Sequence, residues 1–178
     1  MEGEGTKKFR NLRIFNGVMG VFHLFQSILM FVLSNDFALP IQNSFLAGPP
    51  GSATTTEVLF NLRVGPMVAL FLLISAIAHF LLATVLYKWY VRNLKDHINP
   101  LRWVEYSFSS SIMIVVIAML TGILDIGALI VIFIVNASMI LFGWMMELYN
   151  QETAETKWTP FVFGCIAGGF LGIAFIIP

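Results

Sequence analysis

Long apolar runs alternate with short polar segments along this 178-residue chain. A bilayer core of roughly 30 Å requires about 20 apolar residues in a helix, and five runs reach that length. The five predicted spans are 12–33, 64–87, 101–122, 126–149 and 159–178. The pattern therefore predicts an all-α integral membrane protein, with residues 1–178 forming a single bundle of transmembrane helices.

The longest connection, residues 34–63, has a different pattern from the other connections. Two extended-looking segments, 39–46 and 54–62, flank the sequence Gly48-Pro49-Pro50-Gly51. This arrangement predicts a short β-hairpin outside the membrane, and an unstructured polar loop is the alternative. The connection 121–125 is so short that the third and fourth spans must be antiparallel neighbours.

Composition and charge support a membrane protein and give its orientation. The chain is 58% hydrophobic and 11% charged, and its formal net charge of +0 argues against a nucleic-acid surface. A single cysteine, Cys165, leaves no disulfide framework and no cysteine-based metal site. Nine of the ten Lys and Arg residues flank the spans on one side, and Arg63 alone lies on the other. The positive-inside rule thus predicts a multi-pass protein of the cell membrane with a cytoplasmic N-terminus and an outward hairpin.

Polar residues inside the predicted spans are candidates for a functional site. Four are the stronger candidates and five serines are weaker ones: His23, His79, Glu105 and Asn136, then Ser75, Ser109, Ser110, Ser111 and Ser138. Counted from the inner ends of their spans, His23, His79 and Ser109 lie roughly 13 to 15 Å deep, and Glu105 roughly 7 Å. These depths are close enough for one shared cavity. Ser109 follows Glu105 by four residues, so it shares a helix face and is expected to donate a hydrogen bond to the carboxylate.

A buried carboxylate near two imidazoles suits a proton relay, a metal site or a counterion to a cation. Alternatively, each polar group separately hydrogen-bonds a neighbouring helix. Arg102 either pairs with Glu105 or extends to water, and Glu147 lies near the inner end of the fourth span. Asn136, close to Met139, either lines a ligand pocket or links two helices. Because the zinc-helix, phosphate-loop and nucleophile-turn motifs of enzymes are absent from the sequence, we predict that the protein is not an enzyme.

One string in the third span resembles a known family. Arg102-Trp103-Val104-Glu105-Tyr106, followed by Ser109-Ser110-Ser111 and Met113, is similar to heliorhodopsins. The resemblance extends over the whole chain and includes His23, His79, the hairpin, Asn136 and Glu147. Heliorhodopsins are seven-helix photoreceptors with an inverted orientation, in which all-trans retinal forms a protonated Schiff base with a lysine of the seventh helix. The resemblance implies a rhodopsin-like fold of which this chain covers the first five helices.

The resemblance also implies roles for individual residues. Glu105 becomes the Schiff-base counterion, and the polar cavity that accepts the proton contains His23, His79 and Ser109. The implied retinal pocket contains Tyr106, Ser109, Met113, Asn136 and Met139. Arg102 and Glu147 belong to a polar network toward the cytoplasm. The family further implies light sensing and signalling rather than ion pumping, a homodimer formed with the hairpin, and a cytoplasmic signalling partner of unknown identity.

One departure from the family concerns the lysines. All five lie in tails, loops or helix ends: Lys7, Lys8, Lys88, Lys95 and Lys157. Either the chain is a C-terminally truncated fragment without the sixth and seventh helices and the retinal-attaching lysine, or it is a protein that no longer forms the pigment. Truncation is the favoured expectation, because the chain stops in apolar sequence. Two rivals use His23, His79 and Glu105 differently. One is a retinal-independent proton-conducting transporter or channel component, and the other is an intramembrane metalloenzyme, for which close ligand spacing is lacking.

Overall fold

The computed structural model describes residues 2–151, 153 and 155–174. Its elements are α1 (Glu2–Leu33), β1 (Ala38–Leu46), β2 (Thr54–Arg63), α2 (Val64–Ala83), α3 (Tyr87–Lys95), α4 (Pro100–Leu120), α5 (Ile126–Tyr149) and α6 (Thr159–Ala174). Within the described ranges, α1, α2, α4 and α5 are long and apolar enough to cross a membrane. The prediction of an all-α membrane bundle with a β-hairpin is confirmed. The fifth predicted span corresponds to α6, and its last residues, 175–178, lie outside the described part.

The membrane helices pack in the order α1, α2, α4, α5, α6, each against the next. The hydroxyl of Ser27 on α1 donates a buried hydrogen bond of 2.8 Å to the carbonyl of Ala69 on α2. Gly143 on α5 packs so closely against the Trp103 ring of α4 that an added Cβ would overlap it. Helices α2, α4 and α5 therefore occupy the interior of the row, where polar side chains can be sheltered from lipid.

The antiparallel arrangement of α4 and α5 follows from the short turn between them. Gly122 has a φ of +99°, a conformation that side-chain-bearing residues rarely adopt. Asp125 then caps α5, because its side chain accepts hydrogen bonds from the backbone N–H groups of Gly127 and Ala128. At the other end, α4 begins with Asn99 as its N-cap and Pro100 in its first turn.

The hairpin is fastened to the α4–α5 turn. Strands β1 and β2 pair antiparallel, with a register irregularity between Ile41 and Gln42. The Gln42 N–H donates to the carbonyl of Leu124 at 2.9 Å, and the Ser44 N–H donates to Oδ2 of Asp125 at 3.0 Å. Ile41 is buried in an apolar cluster with four residues of α4 and α5, namely Ala118, Met119, Leu129 and Ile132.

A short helix, α3, was not predicted from the sequence. The second span was expected to run to residue 87, but α2 ends at Ala83 and α3 begins at Tyr87. Arg13 of α1 stabilises this break: its Nε donates to the carbonyl of Ala83 at 2.7 Å, and its guanidinium lies 4.7 Å from the centroid of the Tyr87 ring. The basic residues of α3 explain the break, because charged side chains are costly inside a bilayer.

Candidate functional site

Glu105 lies on α4 and reaches across to α2, and only 9% of its surface is exposed. Its Oε1 accepts a hydrogen bond of 2.5 Å from the Ser75 hydroxyl of α2. The expected donor, Ser109, is buried on the same helix, but the structure shows no hydrogen bond between it and Glu105. The physical reason is that the rotation of α4 turns the Glu105 carboxyl group toward α2, where the Ser75 hydroxyl donates to it.

The two histidines meet between α1 and α2. The rings of His23 and His79 are stacked, with centroids 5.4 Å apart and an interplanar angle of 12°. Nδ1 of His79 lies 2.8 Å from Oδ1 of Asn16 on α1. Because an amide oxygen only accepts, this contact requires a proton on Nδ1, which leaves Nε2 of a neutral ring as an acceptor. Nδ1 of His23 is buried and has no hydrogen-bond partner among the described residues.

One cavity connects the carboxylate to His79, the histidine whose ring stacks on His23. Its volume is about 200 Å³, and His79, Asn16 and Glu105 form part of its wall. Because a water molecule occupies about 30 Å³ in the liquid, this volume admits several waters. The cavity extends to Asn99 and Arg102 at the first turn of α4. The polar groups therefore share a space that leads toward the end of the bundle where the Lys and Arg residues concentrate.

Arg102 does not pair with Glu105. Its guanidinium instead forms a salt bridge of 2.6 Å with Oε1 of Glu147 on α5, and it also lies 4.4 Å from the centroid of the Trp103 ring. Oε2 of Glu147 accepts from the backbone N–H of Asn99 at 2.9 Å. Within the described part of the chain, no salt bridge includes Glu105. The carboxyl group of Glu105 thus has a neutral hydroxyl donor and no cationic partner there.

Asn136 links α4 and α5. Its side-chain amide donates to the hydroxyls of Ser110 at 2.8 Å and Ser111 at 3.0 Å, and only 6% of its surface is exposed. The structure shows an interhelical link, and a role of Asn136 in a ligand pocket stays a prediction. Ser110 in turn donates to the carbonyl of Tyr106 at 2.6 Å, so the network also ties back to its own helix.

The remaining residues expected in a retinal pocket do not share one cavity: Tyr106 lines the cavity that contains Glu105, and Met139 lines another. Tyr106 and Met113 are 49% and 41% exposed on α4. Met139 of α5 lies in a separate groove of about 470 Å³, beside Gly164 and Gly168 of α6. An added Cβ at Gly168 would overlap the sulfur of Met139, so the flexible Met139 side chain would have to move to accommodate it.

The sequence did not predict the contribution of two residues, Ser75 and Asn16, to the site. Ser75 was considered only a weak candidate, and Asn16 was not considered at all. A helical-face argument would have found Asn16, because it precedes His23 by seven residues and so lies on the same face of α1. Ser75 likewise precedes His79 by four residues on α2.

His23, His79 and Glu105 are not grouped as ligands of one metal ion. Among the described residues, no group of three or more His, Cys, Asp or Glu side chains is placed to hold a metal. The same residues are instead arranged as a stacked imidazole pair and a separately hydrogen-bonded carboxyl group.

Comparison with known proteins identifies a family that this chain matches. The family model for heliorhodopsin matches residues 12–177, nearly the whole chain. No curated protein matches the chain.

Proposed function

We propose that this chain, which belongs to the heliorhodopsin family of rhodopsin-like membrane photoreceptors, holds the counterion of a retinal chromophore at Glu105. The observation that carries the proposal is the state of this carboxyl group: it is buried, hydrogen-bonded by Ser75, and included in no described salt bridge. A buried anion without a cation is expensive, and a cationic chromophore would offset that cost.

The residues of this chain fit one half of the retinal site. All-trans retinal, when joined to a lysine as a protonated Schiff base, supplies a cation whose position changes on illumination. Glu105 suits the cationic end, because a carboxylate stabilises a nearby positive charge in a low-dielectric region. The attachment point does not fit, because all five lysines lie outside the predicted spans and are exposed. We therefore assign the anion, and not the attaching lysine, to the residues of this chain.

The other polar groups are proposed to accept and hold a proton. Nε2 of His79 is available as an acceptor when Nδ1 donates to Asn16, and His23 stacks directly on the same ring. We propose Tyr106, Ser109, Met113, Asn136 and Met139 as the retinal-facing set, as the family implies. Arg102 and Glu147 are proposed to close the network at the cytoplasmic end through their salt bridge.

We propose light sensing rather than ion pumping. A pump requires a polar path through the whole bilayer, and the described cavity leads from Glu105 toward Arg102. Toward the hairpin, an apolar cluster around Ile41 and Met119 packs α4 against α5. This cluster supports a site whose cavity opens toward one side of the membrane only, the side where Arg102 lies. The light signal would pass to a cytoplasmic signalling partner of unknown identity.

The orientation and the assembly are parts of the same proposal. The concentration of Lys and Arg at one end supports a cytoplasmic N-terminus. The hairpin carries exposed apolar side chains, among them Phe45, Val58 and Phe60, each between 44% and 53% exposed. Such a patch supports a homodimer that buries it.

Covalent attachment is tested first. The purified 178-residue chain is incubated with all-trans retinal, reduced with borohydride and weighed by mass spectrometry. We expect no retinal adduct, because the lysines lie at helix ends or in loops. A stoichiometric adduct on any of them would contradict the assignment of the anion alone.

Binding of the cationic chromophore is tested next. A preformed Schiff base of all-trans retinal and propylamine provides the cationic end without a protein lysine. We expect saturable binding with a visible absorption band, since the buried carboxylate favours the protonated compound. A folded chain that fails to bind it would argue against a counterion site.

A second function has its own supporting observation. The stacked pair of His23 and His79, joined to the cavity that contains Glu105, is also what a retinal-independent proton path would require. Proton flux through liposomes in the dark, without retinal and abolished by His79→Phe, would favour this conductor. Under the photoreceptor proposal we expect no such flux.

A further inference from the structure

The helix that the sequence did not predict, α3, has two chemically distinct faces. Lys88, Arg92 and Lys95 are exposed and follow one another at spacings of four and three residues, which places them on one face. Tyr90 and Asn93 are buried on the opposite face. At a rise of about 1.5 Å per residue, the three cations span roughly 10 Å along the helix.

This orientation is fixed by contacts with α1. Phe9 and Arg13 lie one turn apart on α1, and they contact the two ends of α3: the Lys95 ammonium lies 6.0 Å from the Phe9 ring centroid and the Arg13 guanidinium 4.7 Å from that of Tyr87. A hydrogen bond from Asn93 to the Trp89 carbonyl supports the helix from within. The basic face of α3 is therefore held outward by the bundle.

The end of α1 extends the same basic surface. Lys7, Lys8 and Arg10 are exposed on the α1 turns that surround Phe9. Within the described residues, the salt bridges are Arg63–Asp36 and Arg102–Glu147, so neither includes a cation of this surface. Asp96, directly after α3, is the one acidic residue adjoining the helix in sequence. We call these six cations the α1–α3 basic surface: Lys7, Lys8, Arg10, Lys88, Arg92 and Lys95.

We propose that the α1–α3 basic surface binds the headgroups of anionic phospholipids in the adjoining leaflet. The position favours lipid over other anions, because α3 directly follows the membrane helix α2 and contains Trp89, a residue type typical of the interfacial belt. Clusters of Lys and Arg next to a membrane helix attract anionic lipids, and each cation strengthens the binding about fivefold. Bound headgroups would hold α3, and with it the Arg13 contact at the end of α2.

Native mass spectrometry of the purified, delipidated chain tests this proposal. The chain is titrated in neutral detergent with phosphatidylglycerol and, separately, with phosphatidylcholine. We expect at least about tenfold tighter binding of phosphatidylglycerol, weakening as salt is raised. Equal affinities for the two lipids in the unmodified chain would overturn the proposal.

Two lysines provide a matched pair of variants. Lys88 and Lys157 are both exposed and both belong to the positively charged side, but Lys157 follows α5 and lies outside the α1–α3 basic surface. Lys88→Gln should weaken phosphatidylglycerol binding about fivefold, and Lys157→Gln by less than about twofold. The triple variant Lys88→Gln, Arg92→Gln, Lys95→Gln should lose roughly a hundredfold.

Two competitors identify the kind of anion that is bound. Inorganic phosphate that displaces phosphatidylglycerol at equal concentration would overturn the lipid assignment in favour of a free-anion site. An acidic peptide that binds where phosphatidylglycerol does not would overturn it in favour of a protein partner. Circular dichroism monitors the fold of each variant. If the triple variant unfolds, the comparison of Lys88→Gln with Lys157→Gln tests the proposal instead. Equal losses of phosphatidylglycerol affinity in these two variants would overturn it.

Discussion

At the scale of single residues, the cost of burying Glu105 organises the site. The one described side chain that donates to it is the neutral hydroxyl of Ser75, while the nearby guanidinium of Arg102 is occupied by Glu147. A carboxylate accepts several hydrogen bonds, so one hydroxyl leaves it with unused acceptor capacity. This unused capacity is what makes Glu105 suited to a further donor that is cationic.

Replacing Ser75 tests the hydrogen bond that holds Glu105. Ser75→Ala should lower the free energy of unfolding by about 1.5 to 3 kcal/mol if the acceptor is charged, because the buried oxygen then loses its donor. Ser109→Ala is the matched control, since it removes a buried serine of α4 that makes no hydrogen bond with Glu105. Thermal unfolding in detergent measures both. Equal losses in the two variants would contradict a specific role for Ser75.

The sequence predicted the depth of the site residues better than their partners. His23 and His79 were expected at similar depth, and their rings are stacked. Depth follows from the number of residues to the helix end and the constant rise of a helix. A partner also depends on the rotation of each helix about its axis, which depth does not give. For this reason the hydrogen bond to Glu105 comes from Ser75, and not from Ser109 as expected.

At the scale of helices, the contact between α4 and α5 depends on a glycine. Gly143→Ala would place a methyl group against the Trp103 ring, and such overpacking costs about 1 to 3 kcal/mol. Gly169→Ala on α6 is the control, because an added Cβ there meets no atom within 4 Å. We expect a lower unfolding temperature for the first variant and an equal or higher one for the second. A neutral Gly143→Ala would show that the interface adapts freely.

Asp125 is expected to make the attachment of the hairpin sensitive to acid. Backbone N–H donation from Ala128, and then from Ser44 and Gly127, holds the pKa of the Asp125 carboxyl below its usual value. A lowered pKa in the folded state means that the stabilisation is complete above the ordinary aspartate pKa and is lost as pH falls through the lowered one. Hydrogen exchange at the Ser44 amide should therefore accelerate in acid relative to the intrinsic rate.

The control for Asp125 keeps the cap and removes the titration. Asparagine caps helices nearly as well as aspartate but does not ionise in this range. In Asp125→Asn, the amide oxygen keeps the cap, but the NH2 group, which cannot accept, then takes the place of Oδ2 opposite the Ser44 N–H. Protection of the Ser44 amide should therefore be low at every pH and should not change in acid. The same acid-induced loss of protection in the variant would assign the effect to another residue.

The hydrophobic pattern predicted the membrane helices and the hairpin, but it did not predict helix α3. Apolar runs of about 20 residues and the Gly-Pro-Pro-Gly turn identified the membrane helices and the hairpin, because burial in lipid and turn geometry are local requirements. Helix α3 was missed since its cations were considered as loop charges. Its amphipathic spacing becomes clear only once α2 is known to end at Ala83.

At the scale of the whole molecule, the hairpin and α3 should lie on opposite sides of the membrane. In a background with Cys165→Ser, a membrane-impermeant maleimide applied to intact cells should label Ser52→Cys in the hairpin turn. It should label Lys95→Cys on α3 only after the cells are opened. The reverse pattern would contradict the orientation derived from the positive charges.

The assignment of the retinal-facing residues is the part of the site that the sequence could least define. Tyr106 and Met113 are exposed on α4, whereas Met139 lies in the groove between α5 and α6. Which face of a helix points into the bundle depends on all the helices that pack around that helix. The family resemblance supplied this set of residues, and spacing along the chain did not.

The absorption spectrum of the bound retinal–propylamine Schiff base tests the central claim most directly. If Glu105 is the counterion, Glu105→Gln should shift the absorption maximum to longer wavelength, because a neutral amide no longer holds the positive charge at one end of the chromophore. Glu57→Gln, which removes an exposed carboxylate of the hairpin, should leave the maximum in place. An identical spectrum for the unmodified chain and Glu105→Gln would contradict the account.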